Sequence, residues 1–147
     1  MRKEDAIYLA GLIDGEGCIS VMRLYRPNRP TPLFMARISI ALTSKFLINW
    51  VKRITKVGSV HRKPTPIHRK KQWIWMVNSH NAIIVINDVL PFLKLKGKQA
   101  RNLLSFQSKA IRRITGGPSL SNSEVRLRTK YYRISRKLNG GRTRGKF

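Results

Sequence analysis

Leu9-Ala10-Gly11-Leu12-Ile13-Asp14-Gly15-Glu16-Gly17 joins a helical apolar run to a pair of acids set between glycines. From Glu4 to Ile13 the apolar residues Ile7, Leu9, Ala10, Leu12 and Ile13 recur at helical spacing, with Glu4 and Asp5 in the first turn, where the helix dipole favours acids. Gly15 and Gly17 are expected to end this helix. Gly11 and Gly15, four apart, leave a small-residue strip on one face, along which a second helix can approach closely. If two copies meet there about a two-fold axis, the helix ends bring two Glu16 carboxylates together, where terminal carbonyls already favour cations.

Two hairpins follow. Cys18 to Tyr25 and Leu33 to Leu42 read as strands rich in β-branched residues, joined by the basic, proline-rich turn from Arg26 to Pro32. Ser44 caps a helix carrying Phe46, Leu47, Trp50, Val51 and Ile54, which Gly58 is expected to close. Ser59 to Lys63 and Gln72 to Asn78 form the second hairpin around another basic tip with His68, Arg69, Lys70 and Lys71. Asn81 to Leu90 and Lys98 to Ile114 read as helices, and Gly116-Gly117-Pro118 is a break. Ser121 with Glu124 makes a capping box before a last basic helix, and residues beyond about Asn139 are expected to be disordered. The pattern is α+β, with a helix-hairpin unit occurring twice. A core domain over residues 1–115 and a basic, partly helical extension over 116–147 are expected.

The chain has 147 residues, of which 41% are apolar, enough for a real core and against disorder throughout. Its 31 Lys and Arg face only Glu4, Asp5, Asp14, Glu16, Asp88 and Glu124, a formal charge of +25. A polyanionic partner is expected, nucleic acid ahead of anionic membrane. One cysteine, Cys18, allows neither an internal disulfide nor a cysteine-rich zinc site, and His61, His68 and His80 lack ligand spacing. No membrane or secretory segment is read, so an intracellular, reducing compartment is expected, a prokaryotic cytoplasm or an organelle matrix. With six acids available, Asp14 and Glu16 are the candidates for a hard-cation site.

The nine residues from Leu9 to Gly17 resemble the motif of LAGLIDADG homing endonucleases, with Glu16 in place of the second Asp. Pro91-Phe92-Leu93-Lys94-Leu95-Lys96, followed by Lys98-Gln99-Ala100, is similar to the segment that carries the active-site lysine of the single-motif members. The resemblance implies an αββαββα fold with a saddle-shaped antiparallel sheet laid in the DNA major groove, and additional C-terminal helices. It implies a homodimer built on the motif helix through Leu9, Gly11, Leu12 and Gly15. Glu16 matches the metal-binding acid, the Gly15 carbonyl a supporting ligand, and Lys96 the base that organises water around the scissile phosphate. Asp14 matches an acid concerned with helix packing. A polar residue usual near the end of the second strand is missing, since the count lands on Leu42. The implied activity is a staggered double-strand cut in a long pseudo-palindromic DNA target, by Mg²⁺-dependent phosphodiester hydrolysis with Mn²⁺ able to substitute. An intron-encoded origin is implied as well. The alternative is an intron maturase that binds its own intron RNA on the same fold. Strand alternation combined with the resemblance directs Ser20, Met22, Arg26, Arg37, Ser39, Ser59, His61, Lys63 and Trp75 to DNA, with Arg23, Tyr25, Arg29 and Arg69 as further candidates. Arg37 and Arg26 are the expected guanine readers.

Overall fold

The computed structural model describes residues 1–110 and 119–141. The helix expected to reach Ile114 stops short at Lys109, where Ala110 turns extended; the Gly116-Gly117-Pro118 break, the boundary between residues 115 and 116, and the basic end after Gly141 lie outside the described residues. The elements are α1 (Lys3–Glu16), β1 (Gly17–Leu24), β2 (Leu33–Leu42), α2 (Lys45–Thr55), β3 (Ser59–Lys63), β4 (Gln72–Asn78), α3 (Ser79–Val89), a 3-10 turn (Leu90–Phe92), α4 (Gly97–Lys109) and α5 (Asn122–Leu138). The strands form one antiparallel sheet in the order β1-β2-β4-β3. The α+β class and the αββαββα order with additional C-terminal helices are borne out.

Local chemistry accounts for most boundaries. α1 does not stop at Gly15 as expected but runs on through Glu16. Gly17 ends it in an extended conformation, and a Cβ there would lie 2.8 Å from the Ile13 backbone, so only glycine lets β1 leave the helix this closely. Ser44 caps α2 by accepting the Leu47 N–H at 3.2 Å. Lys56, at φ 59, turns the chain out of that helix in place of Gly58. Gly58, at φ 82, instead allows the backbone to pass against the Trp75 ring. The capping box of Ser121 and Glu124 starts α5.

The sheet buries one face. Ile19 and Val21, Phe34, Ala36, Ile38 and Ile40, then Trp75 and Val77 alternate into a core shared with Leu9, Ala10 and Ile13 of α1, Ile48 and Val51 of α2, Val85, Ile86 and Val89 of α3, and Leu103 and Phe106 of α4. α5 lies along the outer edge of β1. Its buried Ser135 Oγ accepts the Val21 N–H at 2.9 Å, and Asn139 Nδ2 donates to the Ile19 carbonyl at 3.0 Å. These are backbone groups that β1 has no neighbouring strand to satisfy. Arg23 shares the core-side parity of Ile19 and Val21, and its guanidinium stacks 4.5 Å over the Tyr132 ring of α5.

Candidate functional site

The C-terminal end of α1 meets the segment between the 3-10 turn and α4. Asp14 holds that segment by its backbone: Oδ2 accepts the Lys94 N–H at 2.6 Å and Oδ1 the Lys96 N–H at 2.9 Å. Partial burial alone would raise the Asp14 pKa. The N–H groups of Lys94, Lys96 and Leu95, with the Lys96 charge, outweigh it and hold the carboxyl below its ordinary value. Lys96 returns the contact, its Nζ donating to the Ile13 carbonyl at 2.9 Å and the Asp14 carbonyl at 2.5 Å. The ammonium thus covers the Asp14 carbonyl at the end of α1 and joins the Gly17 N–H on that of Ile13, with one of its three donors uncommitted.

Glu16, two residues on, is exposed, and among the described residues its carboxylate has no hydrogen-bond or ion-pair partner. Two neighbouring acids of one motif thus divide their roles by environment: Asp14 is tied into the chain and Glu16 is free. The donor type of Glu16 suits a hard cation. Among the described residues no group of three His, Cys, Asp or Glu could hold a metal ion, so one copy of the chain contributes a single carboxylate. Gly11 and Gly15 lie on the open side of α1, where a Cβ at either would meet nothing within 4 Å. Tyr8, on the same side, stacks edge-on against Trp50 at 5.1 Å.

On the open face of the sheet, the register lines up Cys18, Ser39, Met76 and Ser59 in one row, Ser20, Arg37 and Asn78 in the next, and Met22 with Met35 beyond. His61 lies across from Ile74, and Lys63 from Gln72, on the same face. Ser20, Met22, Arg37, Ser39, Ser59, His61 and Lys63 therefore share one surface, none of them buried. The basic residues Arg26 and Arg29 stand exposed on one hairpin tip, and Arg69, Lys70 and Lys71 on the other.

Three expectations need correction. Trp75 faces the core: it is 0% exposed, pairs across from Ile40 and donates its indole N–H to the Val57 carbonyl at 3.0 Å, so no nucleic acid reaches it. Leu9, also 0% exposed, belongs to the chain's own core and has no surface to offer a second copy, unlike Gly11, Leu12 and Gly15. Arg26 lies past Leu24, the last residue of β1, so its exposure is that of a turn and strand parity does not direct it. Leu42 closes β2 opposite Trp73 and packs against the core, so no polar group stands there. Residues not singled out from sequence, Met35, Ile74, Met76 and Asn78, line the open face. The buried parity of Val77 is the signal that places Trp75 inside and Met76 outside.

The order of elements, the single covered sheet face and the acid-tipped first helix match the fold of the LAGLIDADG homing endonucleases. Neither a protein-family model nor a curated protein matches the chain. Among solved structures, the homing endonuclease I-CvuI in complex with its target in the presence of Ca superposes with a TM-score of 0.79 at 19% identity, over 99% of this chain and 88% of that one. The archaeal intron-encoded homing endonuclease I-Vdi141I complexed with DNA gives 0.62 at 13% identity, over 94% and 98%. The group I intron-encoded homing endonuclease I-CeuI complexed with DNA gives 0.60 at 12% identity, over 73% and 55%. At these identities the likeness is one of fold.

Proposed function

We propose that the chain is a site-specific double-strand DNA endonuclease acting as a homodimer. The observation that carries this reading is the free, exposed Glu16 carboxylate at the end of α1, beside a helix face left open at Gly11 and Gly15. Two copies joined along that face bring two Glu16 side chains to one place, and the two open sheet faces side by side form a long cationic surface for duplex DNA. Gly11, Leu12 and Gly15 make the subunit contact. Glu16 of each copy, with the Gly15 carbonyl, holds Mg²⁺, for which Mn²⁺ can substitute. Held there, Mg²⁺ would supply charge neutralisation at the scissile phosphate and a more acidic water. Lys96, fixed at the helix end by its two carbonyl contacts, would point its remaining donor at that phosphate. Ser20, Met22, Arg37, Ser39, Ser59, His61 and Lys63 face the groove, with Arg26 and the other tip cations on the backbone. The basic helix α5 adds charge outside the central surface. Two-fold symmetry implies a long, partly palindromic target and a staggered cut.

The likeness to endonucleases complexed with DNA supports this reading, and nothing in these comparisons favours the maturase alternative. The names of two of these structures also support an intron-encoded origin. No helix among the described residues is long and apolar enough to cross a membrane, and the free, exposed Cys18 thiol suits a reducing compartment inside a cell. The test is digestion of a large, diverse duplex library by the purified chain with Mg²⁺, beside Glu16→Gln, with sequencing of the cut ends. Recurrent staggered cuts about a pseudo-palindrome, absent in Glu16→Gln although the variant still binds DNA, are expected. Cleavage by Glu16→Gln at the wild-type rate would overturn the assignment.

A further inference from the structure

Asn78 stands at the N-cap of α3, where an asparagine side chain ordinarily accepts a hydrogen bond from the first turn of the helix. It makes no such bond. Its Oδ1 accepts from Arg37 Nε instead, at 2.8 Å. The next residue, Ser79, is held at φ 53, in the left-handed region that a residue with a side chain seldom occupies. The preferred cap and the preferred backbone both give way at the point where Asn78 grips the arginine, a departure from local rules of the kind that marks functional positions.

The grip is two-sided. Arg37 Nη2 also reaches Met35 Sδ at 3.8 Å, which fixes the plane of the guanidinium. Three of its five N–H donors remain uncommitted. Among the described residues no carboxylate lies within ion-pair distance, so the half-buried side chain is oriented by a neutral amide and a thioether rather than by an acid. An arginine with only a packing role has no need of an oriented head. Arg37 lies in the same row as Ser20 and Asn78, on the face that the helices leave open.

We propose that Asn78 is a positioning residue that presents Arg37 as a pre-ordered guanine reader. The proposal rests on the DNA-reading role given above. Guanine offers O6 and N7 as a pair of acceptors in the major groove, matched by two parallel N–H donors of one guanidinium. With Nε held by Asn78, the edge formed by Nη1 and Nη2 is the pair left to face the base. Because the head is already fixed, little side-chain freedom is lost on binding, which sharpens discrimination. In a homodimer the two Arg37 side chains read one guanine in each half of the target, at symmetry-related positions.

The experiment selects bound duplexes from a randomised library with the wild type, Arg37→Lys, Asn78→Ala and Asn78→Asp, with thermal unfolding of each protein measured alongside. The wild type is expected to prefer one guanine per half-site by about ten-fold or more. Arg37→Lys, which lacks the parallel fork, and Asn78→Ala, which frees the head, should each relax that position and no other. Asn78→Asp keeps an acceptor for Nε and should restore the preference. A purely structural Asn78 would lower the unfolding temperature of Asn78→Ala and leave every base preference intact, which overturns the proposal. A wild type that selects a target in which Arg37→Lys changes no position, or changes all alike, overturns it too. A wild type that binds all duplexes equally overturns the DNA-reading role itself.

Discussion

Replacing Asp14 by alanine should cost the fold about 2–3 kcal/mol. The carboxylate accepts two backbone N–H bonds, from Lys94 at 2.6 Å and Lys96 at 2.9 Å. Hydrogen bonds to a charged group contribute about 1.5–3 kcal/mol each, and with Lys94 exposed and Lys96 only part-buried both bonds stand at the low end. Against this, an acid in the last turn of a helix opposes the dipole by about 0.5 kcal/mol, which alanine relieves. The remainder is about 2–3 kcal/mol, or a fall of about 10 °C in Tm for a chain of this length. Glu16→Gln, at an exposed and unpartnered side chain, should unfold at the wild-type urea midpoint. The pH dependence follows from the lowered Asp14 pKa. The fold holds the ionised form, so the contribution is whole above the ordinary value near 3.8 and is lost as pH falls through the lower folded value. Urea titrations of wild type and Asp14→Ala from pH 7 to pH 3 should therefore show a midpoint difference that narrows only at the acid end. Equal midpoints at pH 7, or a loss in Glu16→Gln as large as in Asp14→Ala, would refute the division of roles between the two acids.

Gly11→Leu should fold normally, since nothing lies within 4 Å of the added Cβ, yet sediment as a monomer and lose cleavage; a dimer of wild-type affinity would place the subunit contact elsewhere. Trp75→Ala should destabilise by about 3–5 kcal/mol, as expected for a large buried ring, and denaturant melts would expose the error if the loss fell on DNA affinity alone. Ser135→Ala leaves the Val21 N–H without its acceptor and should cost about 1–3 kcal/mol, with faster amide exchange at Val21 as the local readout.

Strand alternation made β2 legible to the residue, since Phe34, Ala36, Ile38 and Ile40 all bury and Arg37 and Ser39 do not. The same rule puts Trp73 and Trp75 on one face of β4 without saying which face buries, so a core role and a base contact for Trp75 stay open until the burial of Val77 on the same parity decides for the core. Leu9 was misassigned for a related reason: a motif names a helix but does not say which of its faces serves the chain's own core. The acid pair Asp14 and Glu16 was readable from its setting among glycines. The bonds from Asp14 to the Lys94–Lys96 backbone were not, because they join residues about eighty positions apart through main-chain groups that carry no residue identity. Nor could the grip of Asn78 on Arg37 be read, since it depends on β2 and β4 being neighbours, and the sheet order β1-β2-β4-β3 emerges only from the folded chain.

The seal that α5 places on the edge of β1 sets a timetable for synthesis. Ser135 and Asn139 bond to Val21 and Ile19 across separations of 114 and 120 residues, so β1 leaves the ribosome well before the helix that covers its outer backbone. Until then β1 is a bare edge, free to pair with the same strand of another nascent chain. Contacts this distant along the sequence also form late and slowly during refolding. A chain interrupted before α5 should accordingly keep much of its core and fail by clumping, so that yield in the cell depends on how quickly α5 follows β1.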